Sequence, residues 1–585
     1  MKRVSLVVAL GALCYLVAFP AAGSLAATAA SAAPATYQGT PGTAARLTQA
    51  ASVSAFPKVQ SAFRDLGPQT LAAVRTPAGP DPAAASTAAK APSMSANAAV
   101  SGTVSPAGST ASGARHSGTR VAHAFNGLSN LDSDNLNGFA LTPPDQGLCV
   151  GRDNTLSGSP TAVFEPINSA SRETTRNGTP LRADVSLATL FQDPFATGDV
   201  RCLYDSSTQS FYFTEIGFPV ATGPSADETN TTADVVVMNR HGVAAYQFDT
   251  SLGGNCLGDQ PKTGFDDNAL VISTDEYCGP TLSNYEGAIA LVISKSQLVH
   301  EAATVSDSVL GPVSLQGNPV VGLDPAINTG SGTGYFVNSV PFLANGNNNP
   351  VGDTLGVWTL KNSASVTTGR GTPFLAGRAI PSQPYAFPVP ATSTGDGSTT
   401  TMNGFVITSE TALNPDDSRM SGPVEVTRGP GDRVLLTTAL DAAVTVQGNT
   451  TDAGAWFQVS PDAKRVVDQG YVIARGANLL YPAIQPSRSG PGEMVFTITS
   501  ATINPSAAFT TVGSGRITAV ADGTGPHLSF SDAPPFNNPR WGDYSFVAPD
   551  PGGHGVWLAT EYIPPAASQD PFDNWGTYVF EVTGR

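Results

Sequence analysis

The sequence predicts an all-β protein, and three observations lead to that prediction. Helical periodicity is nearly absent beyond residue 121, where short runs rich in Val, Phe, Tyr and Thr alternate with turns of Gly, Pro, Asn and Asp. A weak repeat recurs at intervals of about 50 to 70 residues, with one longer interval. Radial repetition of small antiparallel sheets lets a chain of about 465 residues avoid a large exposed sheet edge. We therefore expect a single β-propeller over residues 121–585.

The first 26 residues have the pattern of a secretory signal peptide. A basic start at Lys2 and Arg3 precedes the apolar run 4–19, and the small residues of 24–26 offer a cleavage site. The run is shorter than the roughly 20 apolar residues that span a membrane. We expect residues 1–26 to direct export and to be removed, with a signal anchor as the alternative.

Residues 27–120 are dominated by Ala, Ser, Thr, Pro and Gly. Such a segment buries too little apolar surface to offset the entropy of ordering it, so we expect a disordered linker or propeptide. The stretch 56–74 carries apolar residues at uneven helical spacing and is the one helical candidate.

The charge balance limits the classes of partner. The chain has 46 acidic and 30 basic side chains, a formal net charge of −16, and no basic stripe. Phosphate-rich partners need such a stripe, so nucleic acid and anionic membrane surfaces are excluded as partners. We expect a secreted, extracellular monomer, with association to the cell wall as a further option.

Four cysteines remain after removal of the signal peptide, namely Cys149, Cys202, Cys256 and Cys278. An even number in an exported chain favours disulfides over metal binding or catalysis. Three pairings are possible from sequence. We favour Cys256–Cys278, which closes a short loop, and Cys149–Cys202, which joins equivalent strands of neighbouring units.

Each unit of the repeat opens on an Asp or Pro that precedes a short apolar stretch. The opening residues are Asp145, Asp199, Asp267, Pro319, Asp417, Pro482 and Asp543. Seven openings predict seven blades, with six or eight as alternatives. The longest interval contains a Gly/Ser/Thr-rich insertion near 362–415. The last unit has three obvious strands, so we expect residues 119–125 to supply its fourth and close the ring.

Motifs at these positions resemble a family of secreted bacterial propellers of unassigned activity. The family's TPPD…G.VG, GD..V.YD and RWGDYS…W…EY…WGT motifs correspond to residues 142–151, 198–205 and 540–577. The resemblance spans residues 125–585 and implies a propeller fold, but it implies no activity. It departs from the family at residues 266–268, where Asp-Asp-Asn replaces the more usual Asp-Tyr-Pro.

The opening aspartates are the first candidate site. The innermost strand of each propeller blade lines the channel, so Asp145, Asp199, Asp267, Asp417 and Asp543 are expected to converge at one mouth. Such a ring would bind Ca²⁺, with Asp145, Asp199 and Asp267 as ligands, or form a funnel for a polyol. Alternatively, each carboxylate accepts backbone N–H groups and holds the turn of its own blade.

Three arginines accompany these aspartates. Arg201 and Arg419 each follow an opening Asp by two residues, and Arg540 precedes Asp543 by three. Converging guanidinium groups would bind a ligand carboxylate through paired hydrogen bonds, whereas ion pairing with the neighbouring Asp is the alternative. The Ser-x-Asp-x-Gly-x-Thr-Trp repeat of sialidases is missing, so the sequence does not predict a sialidase.

Two functional hypotheses follow from these patterns. No catalytic constellation stands out from the repeat, which favours a binding or scaffold module for a glycan or a protein at the channel mouth. The alternative is a glycoside hydrolase or polysaccharide lyase, for which Asp267, Asp543, Glu215 and Glu561 are the candidate carboxylates.

Overall fold

The computed structural model describes residues 6–8, 35–47, 93–94, 100–105, 119–193, 198–218, 230–279, 282, 284–340, 351–402, 404–446, 448–487, 490–531, 539–553 and 555–584. The predicted signal peptide, apart from residues 6–8, lies outside the described residues, and so does the helical candidate 56–74. Most of the predicted linker 27–120 lies outside them as well.

The described chain is all-β and propeller-like. Groups of four antiparallel strands, here called sheets A to G, follow one another along it. Sheet A contains Cys149–Arg152, Thr161–Ile167, Ala170–Thr174 and Val185–Ser186. Sheet B contains Gly198–Asp205, Ser210–Gly217, Thr232–Asn239 and Gly242–Asp249. Sheet C contains Cys256–Phe265, Ala269–Cys278, Asn284–Ser294 and Thr304–Leu310.

The remaining sheets repeat this pattern. Sheet D contains Asp324–Ile327, Gly334–Ser339, Val351–Lys361 and Phe374–Ala386. Sheet E contains Val424–Gly429, Arg433–Val446, Asn449–Ser460 and Arg465–Ala474. Sheet F contains Asn478–Ser487, Gly490–Ser500, Ile503–Thr511 and Arg516–Ala521. Sheet G contains Phe546–Pro549, Val556–Tyr562, Gly576–Thr583 and Arg120–Ser129.

Helices in the described residues are short. They are Asn130–Asn137, Leu187–Phe191, Lys295–Val299 and Ser365–Thr368, with 3₁₀ turns at Pro430–Asp432 and Ala566–Ser568. None of them has the length and apolar character needed to cross a membrane. Minor strands are Leu6–Val8, Ala35–Gln38, Thr40–Ala45, Ser93–Met94, Val100–Ser105, Phe139–Leu141, Ser314–Leu315, Asn318–Pro319, Ala391–Thr392, Thr399–Met402, Phe405–Ser409, Ala412–Leu413 and Leu528–Ser529.

The core consists of hydrophobic clusters between consecutive sheets. Phe164 of sheet A, for example, packs on Phe211 of sheet B with ring centroids 4.8 Å apart. The last sheet packs on the first in the same way, because Val150 of sheet A and Trp557 of sheet G share one cluster. Each sheet therefore buries both of its faces. This explains why many strands carry continuous runs of apolar residues instead of a strict alternation of apolar and polar residues.

Sheet G joins the two ends of the folded body. Its strand Arg120–Ser129 pairs antiparallel with Gly576–Thr583, with Phe125 opposite Val579. The prediction that residues 119–125 supply the fourth strand is confirmed, and the strand continues to Ser129. Sheet G is therefore complete only when the two ends of the described body meet.

Both predicted disulfides are present. Cys256 and Cys278 lie opposite each other on the first two strands of sheet C. Cys149 and Cys202 join the first strands of sheets A and B. The expectation that the second bond links equivalent strands of neighbouring units is confirmed.

Two sequence-based boundaries need correction. The predicted insertion 362–415 includes Phe374–Ala386, which is the outer strand of sheet D and is partly exposed along its length. Within the predicted disordered linker, Ala35–Gln38 pairs with that same strand and Thr40–Ala45 pairs with the outer strand of sheet C. Disorder is therefore the wrong prediction for residues 35–47, because free sheet edges supply backbone partners that composition does not reveal.

Candidate functional site

The candidate site lies where the first strands of the sheets begin. The first strands of sheets C, D and E form parallel bridges to one another, so they lie side by side. At or just before the first strand, six sheets have a residue with a left-handed backbone, namely Asp145, Asp199, Gln260, Gly322, Tyr481 and Gly542. Residues other than glycine rarely adopt this conformation, and such residues concentrate at functional sites.

Asp145, Asp199 and Asp543 form what we call the acid centre. Each is buried, and each can place a carboxylate oxygen within 4.8 Å of the other two. Asn168 connects two of them, because its Nδ2 donates to Asp145 Oδ2 at 2.8 Å and its Oδ1 accepts from the Asp199 backbone N–H at 2.8 Å. The centre thus joins sheets A, B and G.

Burial controls the ionisation of the acid centre. It raises the pKa of Asp145 well above the usual range, and repulsion by Asp543 and Asp199 adds to the shift. It raises the pKa of Asp199 against the opposing charge of Arg201. It also raises the pKa of Asp543 to about 7, although Arg540 opposes that shift. Arg540 beside Asp543 and Arg201 beside Asp199 oppose part of this negative charge, and a shared proton or a bound cation can balance the remainder.

Two of the three candidate arginines are already engaged with carboxylates. Arg540 Nη2 donates to both oxygens of Asp543 at 2.8 and 2.7 Å. Arg419 contacts Asp416 at 2.9 Å and Asp417 at 2.8 Å. The structure therefore does not show three guanidinium groups directed at one ligand carboxylate, because those of Arg419 and Arg540 bind aspartates in neighbouring turns.

Arg201 differs from the other two arginines. It is only 4% exposed, and its Cζ lies 3.4 Å from the centre of the Tyr544 ring and 5.6 Å from that of Phe546. Nη1 makes one long hydrogen bond of 3.4 Å to the Val200 carbonyl. Nη2 is buried and has no hydrogen-bond partner within the described part of the chain. The guanidinium thus retains unused donors.

Two adjoining depressions open at the site and share Met420 and Tyr544. The first, of about 230 Å³, is the acidic depression; its charged lining residues are Asp416, Asp417, Asp441, Asp543 and Arg419. The second, of about 310 Å³, is the basic depression; its charged lining residues are Arg201, Lys262 and Asp324. These volumes include open solvent; the space inside each depression is about 10 to 20 Å³, which is enough for a water molecule or an ion.

Asp267 does not belong to this site. It is exposed in the turn after the first strand of sheet C, where its Oδ1 accepts from the Gly330 N–H at 2.8 Å. Its predicted convergence with the other aspartates is wrong, because the repeat was aligned on the turn that follows the strand. Asp259 is the buried aspartate at the start of sheet C, and repulsion from Asp199 contributes to its raised pKa after burial itself. A Gly-Asp dipeptide lies at or next to the left-handed residue in sheet C, as it does at Asp199 and Asp543, and could have revealed Asp259.

The candidate catalytic carboxylates separate into two places. Glu561 lies beside the acid centre, where burial and then Asp145 raise its pKa well above the usual range. Gly542 has a φ of 114°, a conformation that residues with a Cβ rarely adopt, and a Cβ there would also meet the Glu561 carboxylate. Glu215 instead lies in sheet B next to Asp234. Sequence reasoning missed Lys262, Asp416, Asp441, Tyr481 and Tyr544 as lining residues.

Comparisons with known proteins supply no family. No family model matches the sequence, and no curated protein matches it. A Trypanosoma rangeli sialidase is 9% identical, with a TM-score of 0.28, over 75% of this chain and 58% of that chain. The extracellular domains 1-2 of Drosophila semaphorin 1b are 8% identical, with a TM-score of 0.28, over 79% and 86%. A Dyadobacter fermentans protein of unknown function is 8% identical, with a TM-score of 0.22, over 80% and 100%. Similarities this low do not bear on the function of the site.

Proposed function

We propose that the chain is an exported, seven-bladed propeller that binds an extracellular ligand at the channel mouth, with sheets A to G as the blades. The observation that carries the proposal is a pair of buried polar groups, Arg201 Nη2 and the Tyr544 hydroxyl, that have no partner in the described residues and lie at one pair of depressions. Buried donors without partners are costly, and a ligand would satisfy them. Two disulfides support an oxidising, extracellular setting.

The binding proposal accounts for the acid centre through a shared proton or cation. One carboxylate oxygen each of Asp145, Asp199 and Asp543 lies within 4.8 Å of the others, a proximity at which the three acids can share a proton or a cation. A hydrolase or lyase that uses Asp543 and Glu561 is the alternative function.

A polysaccharide panel tests binding against catalysis. We expect the mature chain, residues 27–585, to be retained by at least one polysaccharide without releasing new reducing or unsaturated ends. Retention and product formation should be measured in the same tubes, with and without Ca²⁺. An Arg428→Ala variant serves as the control, because that side chain is 42% exposed.

The other outcomes of this panel are informative. Product formation would contradict the binding proposal and favour the hydrolase or lyase. A complete lack of retention would contradict a glycan ligand and favour a protein partner.

We propose Ca²⁺ as the cation of the acid centre, held by Asp145, Asp199 and Asp543. Carboxylate oxygens are the ligands that Ca²⁺ prefers, and a divalent cation would allow these acids to ionise despite burial. Asp267, the third ligand expected from sequence, is replaced by Asp543 in this set.

Calcium is expected to raise the melting temperature at pH 8 by several degrees, and a chelator should reverse the shift, because ligand binding to the folded state stabilises it. Differential scanning calorimetry measures the effect. The Asp199→Asn variant should lose the shift, whereas the matched Asp267→Asn variant should keep it. Equal melting temperatures with calcium and with chelator would contradict the calcium proposal.

A further inference from the structure

Residues 35–47, here called the strap, lie along the outer edges of three consecutive sheets. Ala35–Gln38 adds a fifth strand to sheet D, and Thr40–Ala45 adds a fifth strand to sheet C. The Leu47 N–H then donates to the Ala245 carbonyl in the outer strand of sheet B at 2.9 Å. Extended peptides bind free sheet edges in this way, through backbone hydrogen bonds. The outer strands of sheets B, C and D therefore form a docking surface for an extended segment, here called the rim site.

Side chains of the strap enter the hydrophobic clusters between successive sheets. Tyr37 packs on the cluster between sheets C and D, with its ring centre 6.2 Å from that of Trp358. Ala44, which is 6% exposed, belongs to the cluster between sheets B and C, and Leu47 packs on the cluster between sheets A and B. Three separate clusters thus each receive one side chain of the strap, which fixes its register on the rim site.

Polar contacts add specificity near both ends of the strap. The Tyr37 hydroxyl donates to the Ser314 carbonyl at 3.0 Å and accepts from the Ser314 N–H at 2.7 Å. Arg46 Nη2 lies 3.1 Å from Glu301 Oε2. These side chains come from loops and turns beside the sheet edges, so the rim site selects a sequence and does not merely pair with any extended backbone.

The strap is an addition to the repeated unit and not a part of it. In the described chain sheets A, B and G each have four strands, and sheets C and D have four strands of their own without the strap. The strap is separated from the next described strand, Ser93–Met94, by about 45 residues, 48–92. A connection of that length supplies an effective concentration of at most about a millimolar. The contacts with the rim site, more than the covalent connection, therefore hold the strap in place.

We propose that the rim site is a peptide-binding surface and that the strap is its separable ligand, which stays bound when the chain between the strap and the propeller is cut. A cut within residues 48–92 then leaves the propeller attached to its N-terminal segment without a covalent bond. This inference is independent of the ligand at the channel mouth, because the rim site lies on the outer strands of the sheets and the acid centre at their first strands.

A cut in the mature chain tests whether the strap is separable. A recognition site for a sequence-specific protease is inserted between residues 80 and 81, and the cut chain is analysed by gel filtration and mass spectrometry. We expect the fragment 27–80 to elute with the propeller as a one-to-one complex, because every contact of the strap lies before the cut. Elution of the fragment apart from the propeller would overturn the inference.

Exchange distinguishes a ligand from a strand that the fold requires. The cut chain is mixed with an excess of a fluorescent peptide of residues 33–48, and fluorescence anisotropy follows its uptake. We expect saturable one-to-one exchange, with the circular dichroism of the propeller unchanged once the original fragment has left. A scrambled peptide of the same composition is the control and should not bind, since Tyr37, Ala44 and Leu47 then miss their clusters. Unfolding of the propeller on loss of the fragment would show a structural strand and would overturn the inference.

Variants assign the binding to individual contacts. Tyr37→Ala in the peptide should weaken binding about tenfold or more, which corresponds to about 1.4 kcal/mol, because it removes the ring and both hydrogen bonds to Ser314. Thr43→Ala, at an exposed side chain of the same strap, is the matched control and should bind like the unaltered peptide. Arg46→Glu should weaken binding, and Glu301→Arg in the propeller should restore part of it by reversing the ion pair. Equal affinity of the Tyr37→Ala and unaltered peptides would contradict docking in this register.

Discussion

A chain that begins at residue 130 is expected to fail to fold, whereas one that begins at residue 119 folds. The difference is the strand Arg120–Ser129, which pairs with Gly576–Thr583 along nearly its whole length. Without it, the last strand of sheet G becomes an unpaired edge and the cluster that joins sheets G and A loses Phe125. Leu128, which is 1% exposed, also leaves the cluster that contains Trp541 and Trp575.

The closing strand also connects sheet A to sheet G through hydrogen bonds. The Leu128 N–H donates to Glu165 Oε2 at 2.9 Å, and the Thr577 hydroxyl donates to the Leu128 carbonyl at 2.8 Å. Removing the strand would take the Leu128 N–H away from the buried carboxyl of Glu165 and the Leu128 carbonyl away from the Thr577 hydroxyl. The cost combines core loss with unsatisfied buried polar groups, which is the combination that unfolds a marginally stable domain.

Soluble expression, circular dichroism and thermal melting measure this effect. The chain that begins at 119 is the matched control, because it lacks the strands of residues 35–47 but retains sheet G; we expect it to melt a few degrees below the mature chain. Addition of a synthetic 119–129 peptide should restore folding to the shorter chain. Cooperative melting of the shorter chain at the temperature of the control would contradict the closure role.

The mature chain is expected to be more stable at pH 5 than at pH 8, by roughly 5 °C or more in melting temperature. Burial raises the pKa of Asp543 and Glu165 to about 7 and that of Asp452 and Glu276 to about 8. Between about pH 4 and 8 the folded state therefore binds more protons than the unfolded chain, whose carboxyls have ordinary pKa values near 4. The stability that these protons contribute is present at low pH and is lost as the pH rises through the folded pKa values.

One carboxyl acts in the opposite direction and limits the pH range of the test. Lys295 holds the pKa of Asp205 below its usual value against the opposing effect of burial. The stability that ionised Asp205 contributes is present above the pKa of this residue in the unfolded chain. It is lost as the pH falls through the lower pKa of Asp205 in the folded state. Melting should therefore be measured between pH 5 and 8, where Asp205 is ionised in both states.

A single substitution distinguishes the effect of a buried carboxyl group on stability from the effect of the overall charge of the protein. Asp452 is fully buried and its Oδ1 accepts from the Val389 N–H at 2.8 Å, a bond that asparagine can keep. Asp452→Asn should reduce the dependence of melting temperature on pH, whereas Asp432→Asn, at a side chain that is 84% exposed, should not. A melting temperature that rises from pH 5 to pH 8 would contradict the assignment.

Local signals were sufficient for much of the fold. Alternating apolar strands and turn residues predicted the all-β, propeller-like architecture, and the missing strand of the last unit predicted the closure at residues 119–125. Cys256 and Cys278 flank one hairpin, so their pairing followed from proximity along the chain. These features depend on interactions within or between neighbouring strands, which a repeat exposes.

The opening aspartates show where such signals were insufficient. Asp145, Asp199 and Asp543 were predicted to converge, and their carboxylates do lie close together. Asp267 lies elsewhere, because the alignment of the repeat was wrong by one strand. An error of one strand moves a side chain from the inner end of a sheet to the turn at the opposite end. The bend at Gln260 that marks the true start of sheet C is a backbone conformation, and residue type at that position does not report it.

By itself, the sequence determined the strand pattern and the candidate acids and arginines and favoured the cysteine pairing that forms, because each depends on neighbours in the chain or on the repeat. Only the tertiary structure decided which of these groups retain unused hydrogen-bonding capacity. Arg419 and Arg540 turn to nearby aspartates, whereas Arg201 stacks on Tyr544, a residue from the far end of the chain. The site is assembled by contacts such as that between Gln146 and Tyr544, which are 398 residues apart. Burial, stacking and pKa values at the site arise from those contacts, and they exist only once the first and last sheets meet.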